Sequence, residues 1–144
     1  MVVLCRGPSM NMQFKDILVL EDRTYLIGEL ARHFDVSLRT IRFYEEKGLL
    51  SPARKGTHKR LFSTEDVRRL DFIINCRNIG LTVEAIAELL QARDTMPNDQ
   101  FQAELARQLR QRLTDLDLEI NTLEEQRKEI EDRITDSDQR AKKF

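Results

Sequence analysis

Arg39 and Arg42 stand three residues apart in the stretch Ser37-Leu-Arg-Thr-Ile-Arg-Phe-Tyr-Glu-Glu-Lys-Gly-Leu-Leu50. At helical spacing they share a face, opposite Ile41 and beside Tyr44. An arginine so placed can take both O6 and N7 of a guanine, and the hydroxyls of Thr40 and Tyr44 suit phosphates or base edges. A second basic cluster follows: Arg54, Lys55, His58, Lys59 and Arg60. Phosphate binding needs charge more than fixed geometry, so a loop can supply it. The chemistry on offer is DNA recognition. Glu45 and Glu46 read as solvated charges on an exposed helix end rather than as an acid–base pair. With no nucleophile constellation and no phosphate-cradling glycine loop, an enzyme is not expected, nor is a cofactor or a metal site.

These side chains need elements to carry them. A first helix is expected from Gly28 or Glu29 to Phe34, with Leu30, Ala31 and Phe34 on one apolar face. Asp35-Val36-Ser37 makes the turn, since Asp tolerates the left-handed conformation that Gly usually supplies. Ser37 caps a second helix, which buries Ile41 and Tyr44 and ends at Gly48. Residues 49–62 form a loop with Pro52 and Gly56, in which Leu61 and Phe62 return as the edge strand of a hairpin wing. Ser63-Thr-Glu-Asp66 opens a third helix, a cap followed by acids on the positive end of the dipole. It runs to about Ile79 and buries Val67, Leu70, Ile73 and Ile74. Thr82 caps a fourth helix with Ile86, Leu89 and Leu90 inward.

Beyond residue 99 the sequence reads as one long helix without Gly or Pro. Its apolar residues are Leu109, Leu113, Leu116, Ile120, Leu123, Ile130 and Ile134, spaced 4, 3, 4, 3, 7 and 4 apart. This is a heptad seam, with Arg127 in the skipped position. About 36 residues rising 1.5 Å each give a rod of ~54 Å. Alone, that seam would stay wet, so a second copy of the chain is the expected partner and these seven residues its interface. The fold class is therefore mainly α: a winged helix-turn-helix domain with a long C-terminal coiled-coil dimerisation helix. Residues 1–23 are a leader expected to be loose, including the apolar run Ile17-Leu18-Val19-Leu20. Residues 24–93 are the DNA-binding domain, 94–99 a linker, 100–136 the dimerisation helix and 137–144 a tail.

The net charge of the 144 residues is −1, which does not announce a nucleic-acid binder. Its distribution does. Residues 36–60 hold seven Lys and Arg against two Glu, a local net of +5, whereas residues 94–144 carry a net of −4. A basic working face and an acidic solvated arm follow. Cys5 and Cys76 make no disulfide framework, which fits a reducing cytoplasm. No apolar run reaches the ~18 residues of a membrane span, and the first residues lack the order of a signal peptide.

Several segments together resemble the MerR family of bacterial transcription regulators. They are Ile27-Gly-Glu-Leu-Ala31, Val36-Ser37, Thr40-Ile-Arg-Phe-Tyr-Glu-Glu-Lys-Gly-Leu-Leu50, Arg60-Leu-Phe-Ser-Thr-Glu-Asp-Val67 and Ile79-Gly-Leu-Thr-Val-Glu-Ala-Ile86. The likeness covers about residues 24–93, and the long helix extends it to about 135. It implies a winged helix-turn-helix domain and a dimer through an antiparallel coiled coil. It also implies bending and untwisting of promoters whose two polymerase elements are spaced too far apart, so that RNA polymerase can engage them. The resemblance places recognition-helix contacts on Arg39, Thr40, Arg42, Phe43 and Tyr44, and wing contacts on Lys59, Arg60 and Phe62.

The sequence departs from the family pattern in places. Asp35 stands where Gly is common, Thr57-His58-Lys59-Arg60 where Asn-Gly-Tyr-Arg is frequent, and Phe62 where Tyr is usual. The metal- and redox-sensing branches carry cysteines at and beyond the end of the dimer helix, but here no cysteine follows Cys76. The drug-sensing branch has a large C-terminal effector domain, which is not expected here. An organic metabolite is therefore the expected signal. The alternatives are a coiled-coil scaffold protein, against which the arginines and wing argue, and an excisionase-like architectural factor, against which the long helix argues.

Overall fold

The computed structural model describes residues 23–55 and 59–143. The expected leader, its run Ile17–Leu20, Cys5 and His58 lie outside them. The described residues divide into two compact units, the first ending at Thr95 and the second beginning at Met96.

The first unit is built on helices with well-defined ends. α1 (Ile27–Phe34) begins where the Glu29 carboxylate accepts the Leu26 N–H at 2.7 Å, satisfying a donor the helix itself cannot. It closes on Asp35, whose backbone is left-handed at φ 52°. The Val36 N–H returns to the Ala31 carbonyl at 3.1 Å, as in a helix-terminating turn. α2 (Leu38–Glu46) starts at Ser37, whose Oγ accepts the Thr40 N–H at 3.0 Å, and is followed by Gly48 at φ 77°.

The wing is a three-stranded antiparallel sheet in the order β1-β3-β2, with β1 Tyr25–Leu26, β2 Ala53–Lys55 and β3 Lys59–Phe62. The expectation of an edge strand at Leu61 and Phe62 is thus corrected: β3 is central, paired with β2 on one side and with β1 on the other. Tyr25 pairs with Phe62, and both side chains are buried.

α3 (Thr64–Asn78) opens with a reciprocal capping box. Ser63 Oγ accepts the Asp66 N–H at 3.1 Å, and Asp66 Oδ2 accepts the Ser63 N–H at 2.8 Å. Gly80 follows at φ 88°, and Thr82 Oγ1 caps α4 (Val83–Thr95) by accepting the Ala85 N–H at 3.1 Å. Leu30, Ile41, Leu50, Phe62, Leu70, Ile73, Ile86, Leu89 and Leu90 make a core with almost no exposed surface. Cys76 belongs to that core, whereas Ile74 is only half-buried. The core is what holds α2 and the wing in one body.

The second unit is a single helix, α5 (Asn98–Ala141), of 44 residues. At 1.5 Å per residue it is about 66 Å long. Both of its expected ends move outward. Asp94 and Thr95 complete α4, so only Met96 and Pro97 separate the two helices instead of a linker over 94–99. Proline fits a helix start because it has no N–H to leave unpaired. At the other end, the expected tail stays helical to Ala141, where an Arg140–Asp136 ion pair at 2.9 Å joins successive turns.

Candidate nucleic-acid interface

α2 has two distinct faces. Ile41 and Tyr44 are buried, while Arg39, Arg42 and Phe43 are exposed. Phe43 keeps 39% of its surface accessible, with the Lys47 ammonium 5.6 Å from its ring centre. The two arginines and Phe43 thus present polar and apolar groups on the exposed side of α2, chemistry of the type that can meet guanine edges and thymine methyls. Thr40 is half-buried, and its Oγ1 lies 2.9 Å from Ser37 Oγ. Its hydroxyl is engaged in the cap. Tyr44, expected as a DNA contact, is only 6% exposed and serves the core more than the surface. The i, i+3 relation to Ile41 that turns it inward decides this.

The wing places its cations by register. Arg54 stands opposite Arg60, and Lys55 opposite Lys59. Along β3, successive residues alternate between faces. Phe62 lies fully in the core, so Arg60 shares the face that looks toward the helices, and Lys59 looks the other way and is exposed. The expectation of a wing contact at Phe62 is corrected by this alternation.

Arg60 is part-buried and meets Glu45 of α2: Nε and Oε2 are 2.6 Å apart, with side chains 27% and 17% exposed. Both atoms are sealed from solvent and approach off the N–H axis, a contact of opposite charges rather than an aligned hydrogen bond. Glu45 is thus not the solvated helix-end charge expected from the sequence, whereas Glu46 is exposed. The signal was present in Lys59-Arg-Leu-Phe62: if Phe62 is inward, so is Arg60, and an inward cation needs a carboxylate.

Among the described residues, no group of three or more His, Cys, Asp or Glu is placed to hold a metal ion. Cys76 is buried, and that burial pushes its thiol up to about 11. No helix among the described residues is long and apolar enough to cross a membrane.

The family profile described as MerR HTH family regulatory protein matches residues 25–93, and the one described as MerR, DNA binding matches residues 67–133. The HTH-type transcriptional regulator HmrR of Rhizobium leguminosarum bv. viciae is 32% identical over 105 residues, covering 73% of this chain and 80% of that protein. The chain belongs to the MerR family. This MerR chain is accordingly a DNA-binding transcriptional regulator and not an enzyme. A ZntR homolog of Haemophilus influenzae is 38% identical over 65 residues, covering 44% of this chain and about half of that protein, 48%. The crystal structure of PbrR691 from Ralstonia metallidurans CH34 in complex with lead(II) is 35% identical, with a TM-score of 0.54 over 69% of this chain and 79% of that one. The MerR resemblance of the recognition-helix and wing segments thus meets a fold of the same kind.

Proposed function

We propose that this protein is a homodimeric promoter-binding regulator that lays α2 in the major groove and its wing on flanking phosphates. The supporting observation is the division of α2: Arg39, Arg42 and Phe43 exposed, Ile41 and Tyr44 buried. In this reading Arg39 and Arg42 read bases, and Arg54, Lys55 and Lys59 track the backbone. Dimerisation through α5 is favoured by its seam, where Leu113, Ile120, Leu123, Ile130 and Ile134 are each at least half exposed in the single chain. Bending and untwisting of the promoter, so that RNA polymerase can engage it, follow from the same family reading, as does action in the cytoplasm.

The proposed signal is an organic metabolite. A metal would need soft thiolates brought together, and a buried thiol at about 11 stays protonated near neutral pH. PbrR691 was crystallised with lead(II), but Cys76 has no second cysteine among the described residues.

Binding titrations on operator and scrambled duplexes test the base-reading role. Arg39→Ala or Arg42→Ala should relax base preference by about 1–3 kcal/mol, the effect of removing a bidentate hydrogen-bond pair to a base. Lys59→Ala should weaken both duplexes alike and lower the salt slope by about one for each phosphate no longer neutralised. Equal losses on both duplexes for the two arginine variants would remove the base-reading assignment.

A further inference from the structure

We infer that Glu45 is a positioning residue which holds Arg60 as a brace between the recognition helix and the wing, so that Arg60 does not neutralise a DNA phosphate. Glu45 lies in the last turn of α2 and Arg60 in the central strand of the wing. Their charged atoms meet at 2.6 Å with no solvent access.

Two observations support the assignment. The alternation of β3 turns Arg60 to the helix side with Phe62, while Lys59 faces out. A phosphate that recruited Arg60 would have to separate two oppositely charged atoms that are both sealed from solvent, which is costly. The pair is therefore electrostatically closed. Its role is to fix the distance from the groove-reading face of α2 to the wing cations.

The inference rests on the DNA-binding reading above. Full-length variants are titrated with a random-sequence duplex over a range of salt concentrations, with thermal melts as the check on folding. Lys59→Ala tests the reading itself and should lower the slope of log K against log salt by about one per phosphate released. Arg60→Gln should leave the slope as in the parent protein while weakening binding. Glu45→Gln should steepen the slope by about one per subunit, because it frees the Arg60 charge. The charge exchange Glu45→Arg with Arg60→Glu should retain most of the binding, since it rebuilds the pair. This variant also decides the matter if Arg60→Gln does not fold. A slope loss in Arg60→Gln equal to that of Lys59→Ala, or abolished binding in a folded charge exchange, would overturn the brace and make Arg60 a phosphate contact.

Discussion

Arg69 and Asp94, 25 residues apart, are joined by one terminal guanidinium nitrogen that lies 3.0 and 2.8 Å from the two carboxylate oxygens. The Nε of the same side chain donates to the Leu49 carbonyl at 3.2 Å. One arginine thus ties α3, the last turn of α4 and the chain leaving α2. The two interactions differ in weight. Asp94 is 52% exposed, so its ion pair is of the surface kind and contributes about 0–1 kcal/mol. Leu49 is buried, and stranding its carbonyl costs about 1–3 kcal/mol. Arg69→Ala should therefore destabilise the protein clearly more than Asp94→Ala in denaturant melts. Equal losses would mean that the ion pair, and not the carbonyl, is the important partner.

Dimerisation is tested at Ile120. It is 50% exposed in the single chain and lies mid-seam. Ile120→Glu would bury an unpaired charge in the coiled-coil core, at a cost of several kcal/mol. Sedimentation should show monomers, and operator affinity should fall with the dimer. An unchanged dimer would mean that the seam has been assigned to the wrong surface.

Sensing is tested at the cysteines. Protein with Cys5→Ser and Cys76→Ser should keep its promoter response in a reporter assay, apart from a modest stability loss at Cys76. Abolished induction in a folded, DNA-competent double variant would restore a metal or redox role.

Cys76 also predicts a pH dependence. Its folded value of about 11 lies above the ordinary 9.0 because burial disfavours the thiolate. Between those two values the unfolded chain has released the proton and the folded chain has not. The unfolded state binds fewer protons there, so stability falls as pH rises, by about 1.4 kcal/mol per pH unit within that window. Below pH 9 the thiol contributes no slope. Cys76→Ala should remove this part of the alkaline decline, measured as the difference between the two proteins' stability curves.

The elements that were legible in the sequence are those whose ends carry local chemistry. Ser37, Ser63 and Thr82 each cap a helix where a hydroxyl before an apolar period predicts one, and Asp35 takes the left-handed turn expected of it. β1 was not legible, because two residues are too few to show alternation. Its existence depends on pairing with a strand more than thirty residues away. The centrality of β3 was hidden for the same reason. Asp94 and Thr95 resembled a linker because Pro97 follows closely, yet nothing in them breaks a helix. In the site, the outward arginines were readable from helical spacing. The partner of Arg60 was not, since helix-face reasoning treats Glu45 by its neighbours in sequence and takes no account of the strand packed against it.

The central place of β3 bears on which lengths of wing this fold can accept. A single residue inserted between Lys59 and Phe62 would invert every side chain beyond it. Phe62 would turn from the core to water, or Arg60 would turn away from Glu45. With a ladder on each side, β3 has no free edge at which to absorb the slip. Insertions and deletions should therefore not be tolerated within residues 59–62, and libraries that vary the length of the wing should keep those residues in frame.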